Sequence, residues 1–256
     1  VRRKPRNAAL VERDRRGTVC CAGRATGAGR ALVPTVLIVG ASRGIGLEFV
    51  RQYTAEGNRV IATHRKPESG AKLRELGAKP AVLDVLDEGA VLDFGEKMAS
   101  EKIDIAIISA GVVGPRNQAI TSPGGLDFDA VMHTNVRAPM QLIPVLAPTL
   151  IAARGKLAVV SSRMGSLSLM TSTASWLYRA SKAALNAALR AASLELGPQG
   201  VVCIAFHPGW VRTDMGGGSA DIDVKTSVEG MRRLLASAND SSNGKFINYN
   251  GEHLSW

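Results

Sequence analysis

The sequence predicts an α/β protein built on one doubly wound parallel sheet, and two patterns carry that prediction. Short apolar runs rich in β-branched residues alternate with longer amphipathic or alanine-rich stretches throughout residues 35–256. Strands separated by helices at this spacing form βαβ units, and strands that are apolar almost throughout fit a sheet covered on both faces. No linker, repeat or low-complexity block interrupts 35–256, so this stretch reads as a single domain.

The elements follow in order. The run TVLIV at 35–39 is a strand, a glycine-rich turn follows it, and 47–56 is amphipathic with helical spacing. RVIAT (59–63) is the second strand and 68–77 a short helix closed by Gly77. PAVLDV (80–85) is the third strand, 87–100 the next helix and IDIAIIS (103–109) the fourth strand. A long helical region spans 126–153, with Pro139, Pro144 and Pro148 as expected kinks. KLAVVSS (156–162) is the fifth strand and 172–196 an alanine-rich helix. VVCIAF (201–206), a helix over 225–238 and KFINY (245–249) complete the pattern.

Composition removes several function classes. The net charge is +10, but residues 1–34 hold nine Lys/Arg against two acids, which leaves only +3 on the rest. The body is therefore mildly basic, and nucleic acid is not an expected partner. Residues 1–34 lack apolar periodicity and read as a disordered basic tail, upstream of the functional start of the protein. A nucleic-acid-binding arm is the alternative; salt-dependent binding lost on deleting residues 1–32 would support it. The tail has neither the apolar core of a secretory signal nor the serine of a transit peptide. Cys20, Cys21 and Cys203 match no zinc or disulfide spacing, so no metal site is expected and a reduced, cytoplasmic setting is. No apolar run approaches the roughly 18 residues of a membrane span.

Two motifs carry chemistry. In VGASRGIG (39–46), Gly40, Gly44 and Gly46 lie between the first strand and the first helix. Glycine there lets the backbone approach a ligand, and the helix N-terminus beyond it suits a pyrophosphate. In YRASK (178–182), Tyr178 and Lys182 stand four apart and so share a helix face one turn apart. A neighbouring ammonium would lower the phenol's pKa towards a working range.

With these motifs in this order, residues 35–256 resemble the short-chain dehydrogenase/reductase family, with Val39 where the family usually has Thr. The resemblance implies a Rossmann-like fold and hydride transfer between a nicotinamide cofactor and a carbonyl or alcohol. It implies catalytic roles for Asn135, Ser162, Tyr178 and Lys182: Tyr178 as general acid/base, Lys182 on the nicotinamide ribose, Ser162 on the substrate oxygen, and Asn135 holding a water linked to Lys182. Ser161, one residue off, should face the other side of its strand. Cofactor contacts are implied for Gly40, Ser42, Arg43, Gly44, Ile45 and Gly46 in the turn. Asp84 and Val85 are expected at adenine, Ala110 and Gly111 after the fourth strand, and Pro208, Gly209, Val211 and Thr213 in HPGWVRTDM. Ser109 replaces a usual Asn that braces the sheet.

The second strand ends in Thr63, His64, Arg65 and Lys66, with no acid. An acid there would read a ribose 2′-hydroxyl, whereas Arg suits a 2′-phosphate. Arg43 and Arg65 thus look like the pattern that prefers NADP(H) over NAD(H), with His64 a weaker contact near the adenosine. The stretch 167–176 is expected to loop over the substrate, with Leu169, Met170 and Trp176 as lining, and 216–221 reads as a glycine-hinged lid. HPGWVRTDM and the ending GKFINYNGEHLSW look most similar to the branch with C-factor signalling proteins and sniffer-type carbonyl reductases. A small carbonyl or alcohol substrate is the expected partner, and a cofactor-binding signalling protein of C-factor type with little turnover is the alternative. Family members commonly pair alanine-rich helices such as 172–196, which implies a homodimer or homotetramer; a monomer by light scattering would contradict this.

Overall fold

A computed structural model describes residues 33–256. The expectations for the basic tail, including Cys20 and Cys21, fall almost entirely outside the described residues. Seven strands form one parallel sheet in the order β3-β2-β1-β4-β5-β6-β7: β1 Thr35–Val39, β2 Arg59–His64, β3 Lys79–Val82, β4 Ile105–Ile108, β5 Lys156–Val160, β6 Val202–His207 and β7 Lys245–Asn248. The helices are α1 Gly44–Ala55, α2 Pro67–Glu75, α3 Glu88–Met98, α4 Gly125–Met132, α5 Ala138–Ala153, α6 Trp176–Leu196 and α7 Val224–Ser237.

All five residues of β1 are buried, and successive side chains enter opposite cores. Leu37 and Val39 pack with Phe94 of α3, Leu146 of α5 and Leu185 of α6. Val36 and Ile38 pack with Phe49 of α1 and Met231 of α7. Burial on both faces explains why β1 reads as a near-continuous apolar run after Thr35. The chain order reverses between β1 and β4, and in such sheets ligands bind in the crevice at the C-terminal strand ends beside that reversal.

Four sequence expectations change. Strands β3 and β5 end earlier than expected, so Asp84 and Val85 lie just beyond β3 and Ser162 two residues beyond β5. The alanine-rich helix starts at Trp176 rather than 172; Ser175 has φ 54° and its amide donates to the Asn117 carbonyl (2.8 Å), which anchors a loop there.

The long helical region is interrupted by a π-turn at His133–Arg137, while Pro144 and Pro148 sit inside α5. Residue 139 is proline, so the carbonyl of Asn135 lacks the amide an α-helix would supply. Finally, helical residues Gly125–Ala153 are long and apolar enough, by length and composition, to cross a membrane, contrary to the sequence expectation. Leu142, Leu146 and Leu150 are fully buried in the sheet's core, so this is the packing of a core helix.

Candidate active site

The crevice at the strand ends encloses about 280 Å³. The glycine turn shapes one wall. Gly40 has φ 84°, and a Cβ there would lie 2.6 Å from the Ala110 nitrogen. At Gly46 a Cβ would lie 2.1 Å from the Gly40 carbonyl oxygen. The missing side chains let Gly40 lie against Ala110 at the end of β4 and let the turn close on itself at Gly46, with the N-terminus of α1 beside the crevice. The Gly40 amide donates to the Thr63 hydroxyl (3.0 Å), a bracing role that sequence reasoning did not assign. Ser42, Arg43, Gly44 and Ile45 complete this wall, and Ala110, Gly111, Pro208 and Thr213 line the crevice farther along.

At the far end Arg65 stands 4.0 Å from Asp84, with Val85 beside it. Arg43 pairs with Asp214 at 3.4 Å, and both side chains are mostly exposed. Exposed pairs of this kind hold their partners weakly, which leaves both guanidinium groups open to a stronger anion. His64 also lines the crevice, but its ring is buried beneath α2. Its Nδ1 is 2.9 Å from the Lys66 carbonyl oxygen, and only a glycine at 70 leaves room for it. Its expected cofactor contact is therefore subordinate to packing.

Tyr178 and Lys182 are buried together on α6. The Lys182 ammonium lies 5.7 Å from the centroid of the tyrosine ring and donates to the Val160 carbonyl at 2.9 Å. Gly165 permits this closeness, because a Cβ there would sit 2.6 Å from the Lys182 carbonyl carbon; no local sequence signal marks it. Ser162 accepts from the Met164 amide (3.2 Å), and its hydroxyl favours ionisation of Tyr178 by hydrogen bonding. Ser161 instead donates to Asn186 Oδ1 (2.5 Å), so the adjacent serines do diverge.

The electrostatics differ from expectation. Burial pushes the Tyr178 phenol up to about 12, outweighing the opposing effects of Ser162 and Arg116. Lys182 does not supply the lowering the sequence implied. Its own ammonium is pushed down to about 8 by burial, because removing water penalises whichever form is charged.

A linkage prediction follows. The folded lysine titrates near 8 and the unfolded one near 10.5, so the unfolded chain binds more protons between those values. Stability from this site therefore rises with pH across that window. In thermal denaturation, the wild type should gain on Lys182→Met from pH 8 to pH 10, and a constant difference would contradict it.

Asn135 is fully buried in the π-turn. Its side chain accepts from the Val112 amide (2.9 Å) and donates to the Val112 carbonyl (2.8 Å) and the Ser181 hydroxyl (3.0 Å). It clamps the β4 loop to α6, and its main-chain carbonyl receives no amide hydrogen from Pro139.

The sequence pattern of the short chain dehydrogenase family matches residues 34–223. The chain belongs to this family. The C-signal protein of Myxococcus xanthus is 36% identical over 167 residues, covering 64% of this chain and 98% of its own. Among solved structures, the carbonyl reductase Sniffer of D. melanogaster superposes with a TM-score of 0.80 at 29% identity, covering 88% of this chain and all of its own. A carbonyl reductase from Pseudomonas aeruginosa PAO1 in complex with NADP gives 0.77 at 33% identity with the same coverage.

In this dehydrogenase a second cavity of about 460 Å³ adjoins the crevice, and Tyr178 lines both. Ser162, Gly209 and Val211 open onto this second cavity. Of the expected apolar lining only Leu169 takes part, joined by Met164, Trp210 and Met215. Trp176 is drawn aside by its bond to the Thr121 carbonyl (3.0 Å), and Met170 is exposed.

The expected lid is tied down at its start. The Gly216 amide donates to the Thr213 hydroxyl (3.1 Å), and the Trp210 indole to the Gly216 carbonyl (2.8 Å). A side chain at 216 would strike the Val211 carbonyl, so glycine is required there for packing, whereas a Cβ at Gly218 would meet nothing within 4 Å. Trp256 lies away from the cavity, stacked on Phe246 with ring centroids 5.4 Å apart.

Proposed function

We propose that this dehydrogenase is an NADP(H)-dependent carbonyl reductase, working in reverse as an alcohol dehydrogenase. The observation that carries the reading is Tyr178 itself, the buried phenol shared by the crevice and the adjoining cavity, flanked by Ser162 and Lys182. The crevice fits a dinucleotide: Gly40 and Gly46 let the turn pack tightly where a Cβ would strike backbone, and α1 begins beside the crevice with no side-chain cap on its first amides. A bound nicotinamide would supply or accept the hydride.

The chain's own residues do the rest. Ser162 holds the substrate oxygen by a hydrogen bond. Tyr178 donates its proton to that oxygen as the carbonyl is reduced, and withdraws it in the reverse direction. Its high pKa keeps the phenol protonated at neutral pH, the form reduction needs. Lys182 stays mostly cationic at neutral pH and lies where it can hold ribose hydroxyls. The π-turn carbonyl of Asn135 offers a place for the water that returns a proton to the site. Arg43 and Arg65 recognise the 2′-phosphate from two sides, which favours NADP(H) over NAD(H).

The test is oxidation of NADPH and of NADH on a panel of aldehydes, ketones and quinones. NADPH should be preferred, and Arg43→Ala and Arg65→Ala should each reduce the preference by about tenfold, the size of one charged hydrogen bond. Equal use of both cofactors by the wild type would refute the specificity. The likeness to C-signal favours one other reading, a cofactor-binding signalling protein. NADPH binding without turnover on the whole panel would select it.

A further inference from the structure

Among the described residues, the cavity beside Tyr178 is lined by Arg116, Arg163 and Arg179, and by no aspartate or glutamate. Among the described residues none of these three arginines forms an ion pair. Their observed bonds go to neutral carbonyls: Arg116 donates to Met215, and Arg179 to Ala174 at 2.8 Å. The contrast with the neighbouring crevice is sharp, since Arg43 and Arg65 each face an acid there.

Three guanidinium groups around one concavity repel one another and concentrate anions from solution. Arg116 is near enough to Tyr178 for its charge to favour the phenolate. His207 also faces this cavity, with a buried Nδ1 that has no partner among the described residues. Burial and the charge of Arg163 push His207 down to about 4, so at neutral pH it is an uncharged hydrogen-bonding group. Val113, Leu169, Trp210 and Met215 supply the apolar remainder.

We infer that the substrate is a carbonyl compound with an apolar body and an anionic group such as a carboxylate, held by Arg116, Arg163 and Arg179 while its carbonyl meets Tyr178 and Ser162. This rests on the reductase reading for the identity of the site. Arginine suits the role because its planar fork binds carboxylates through paired hydrogen bonds. The anion removes the repulsion among the arginines, and the apolar wall covers the body of the ligand.

The experiment compares 4-formylbenzoate with its neutral methyl ester on the full chain in the presence of NADP+. Calorimetry should show the carboxylate binding about tenfold or more tightly than the ester, an advantage that shrinks as salt is raised. In the double variant Arg116→Gln/Arg163→Gln the ratio should collapse towards one. In Lys72→Gln, which removes one charge from exposed α2, the ratio should persist. That control separates the cavity from the chain's overall positive charge. An ester that binds as well as the acid, or a ratio unchanged in the double variant, overturns the inference. NADPH oxidation with the same two aldehydes is read separately. Its absence with both counts against the reductase reading, while the binding ratio still decides whether the cavity selects an anion.

Discussion

Tyr178→Phe should abolish carbonyl reduction while leaving the fold and NADPH binding in place. The substitution removes one hydroxyl and keeps the ring that α6 buries, so the packing around Leu177 and Leu185 is unchanged. The hydroxyl is the proton donor to the substrate oxygen, and acid–base groups of this kind contribute about 10²–10⁴ in rate. The expected result is a fall of that order in kcat, with the affinity for NADPH within about twofold of the wild type. Stopped-flow reduction gives the rate, and fluorescence titration of NADPH gives the affinity. Survival of a tenth of the activity would remove Tyr178 from the chemistry. Equal loss of NADPH binding would make it a packing residue.

Gly46→Ala should cost both stability and cofactor affinity. Its backbone is not left-handed, so strain comes from contact alone: the new methyl would sit 2.1 Å from the Gly40 oxygen and 3.2 Å from Ala41 Cα. One of the two walls of the turn must move. Overfilling a tight site of this kind costs about 1–3 kcal/mol. At this chain length each kcal/mol lowers Tm by about 2–4 °C.

Gly77→Ala is the matched control. It has φ 83° and nothing within 4 Å, so alanine there strains the backbone by about 1–2 kcal/mol without touching the crevice. Scanning calorimetry should show both variants destabilised, and only Gly46→Ala should lose NADPH affinity, by at least about tenfold. Equal affinity in the two would show that the turn does not shape the dinucleotide site.

Much of this protein is written in local pattern. Residues 35–39 read as a buried strand, because four of the five are β-branched and the four after Thr35 are apolar. Gly40 and Gly46 announce a close approach of backbones, and four-residue spacing places Tyr178 and Lys182 on one face before any coordinates are known. Element ends were less legible. Ser175 opens α6 through a bond to Asn117, and nothing within 172–176 encodes a partner 58 residues away in sequence.

By itself, then, the sequence determined the order of strands and helices, the position of the glycine turn and the presence of a tyrosine–lysine pair. Each of these depends on residues within a few positions of one another. The tertiary structure decided what those residues can do. Whether Lys182 lowers the Tyr178 pKa depends on how far both are removed from water; here burial outweighs Ser162 and Arg116, and Lys182 supplies no lowering. Gly165, Arg116 and Asn135 reach α6 from loops and a π-turn that chain distance does not reveal. Desolvation and long-range charge act through space rather than along the chain, so they are settled only when the helices close over the sheet.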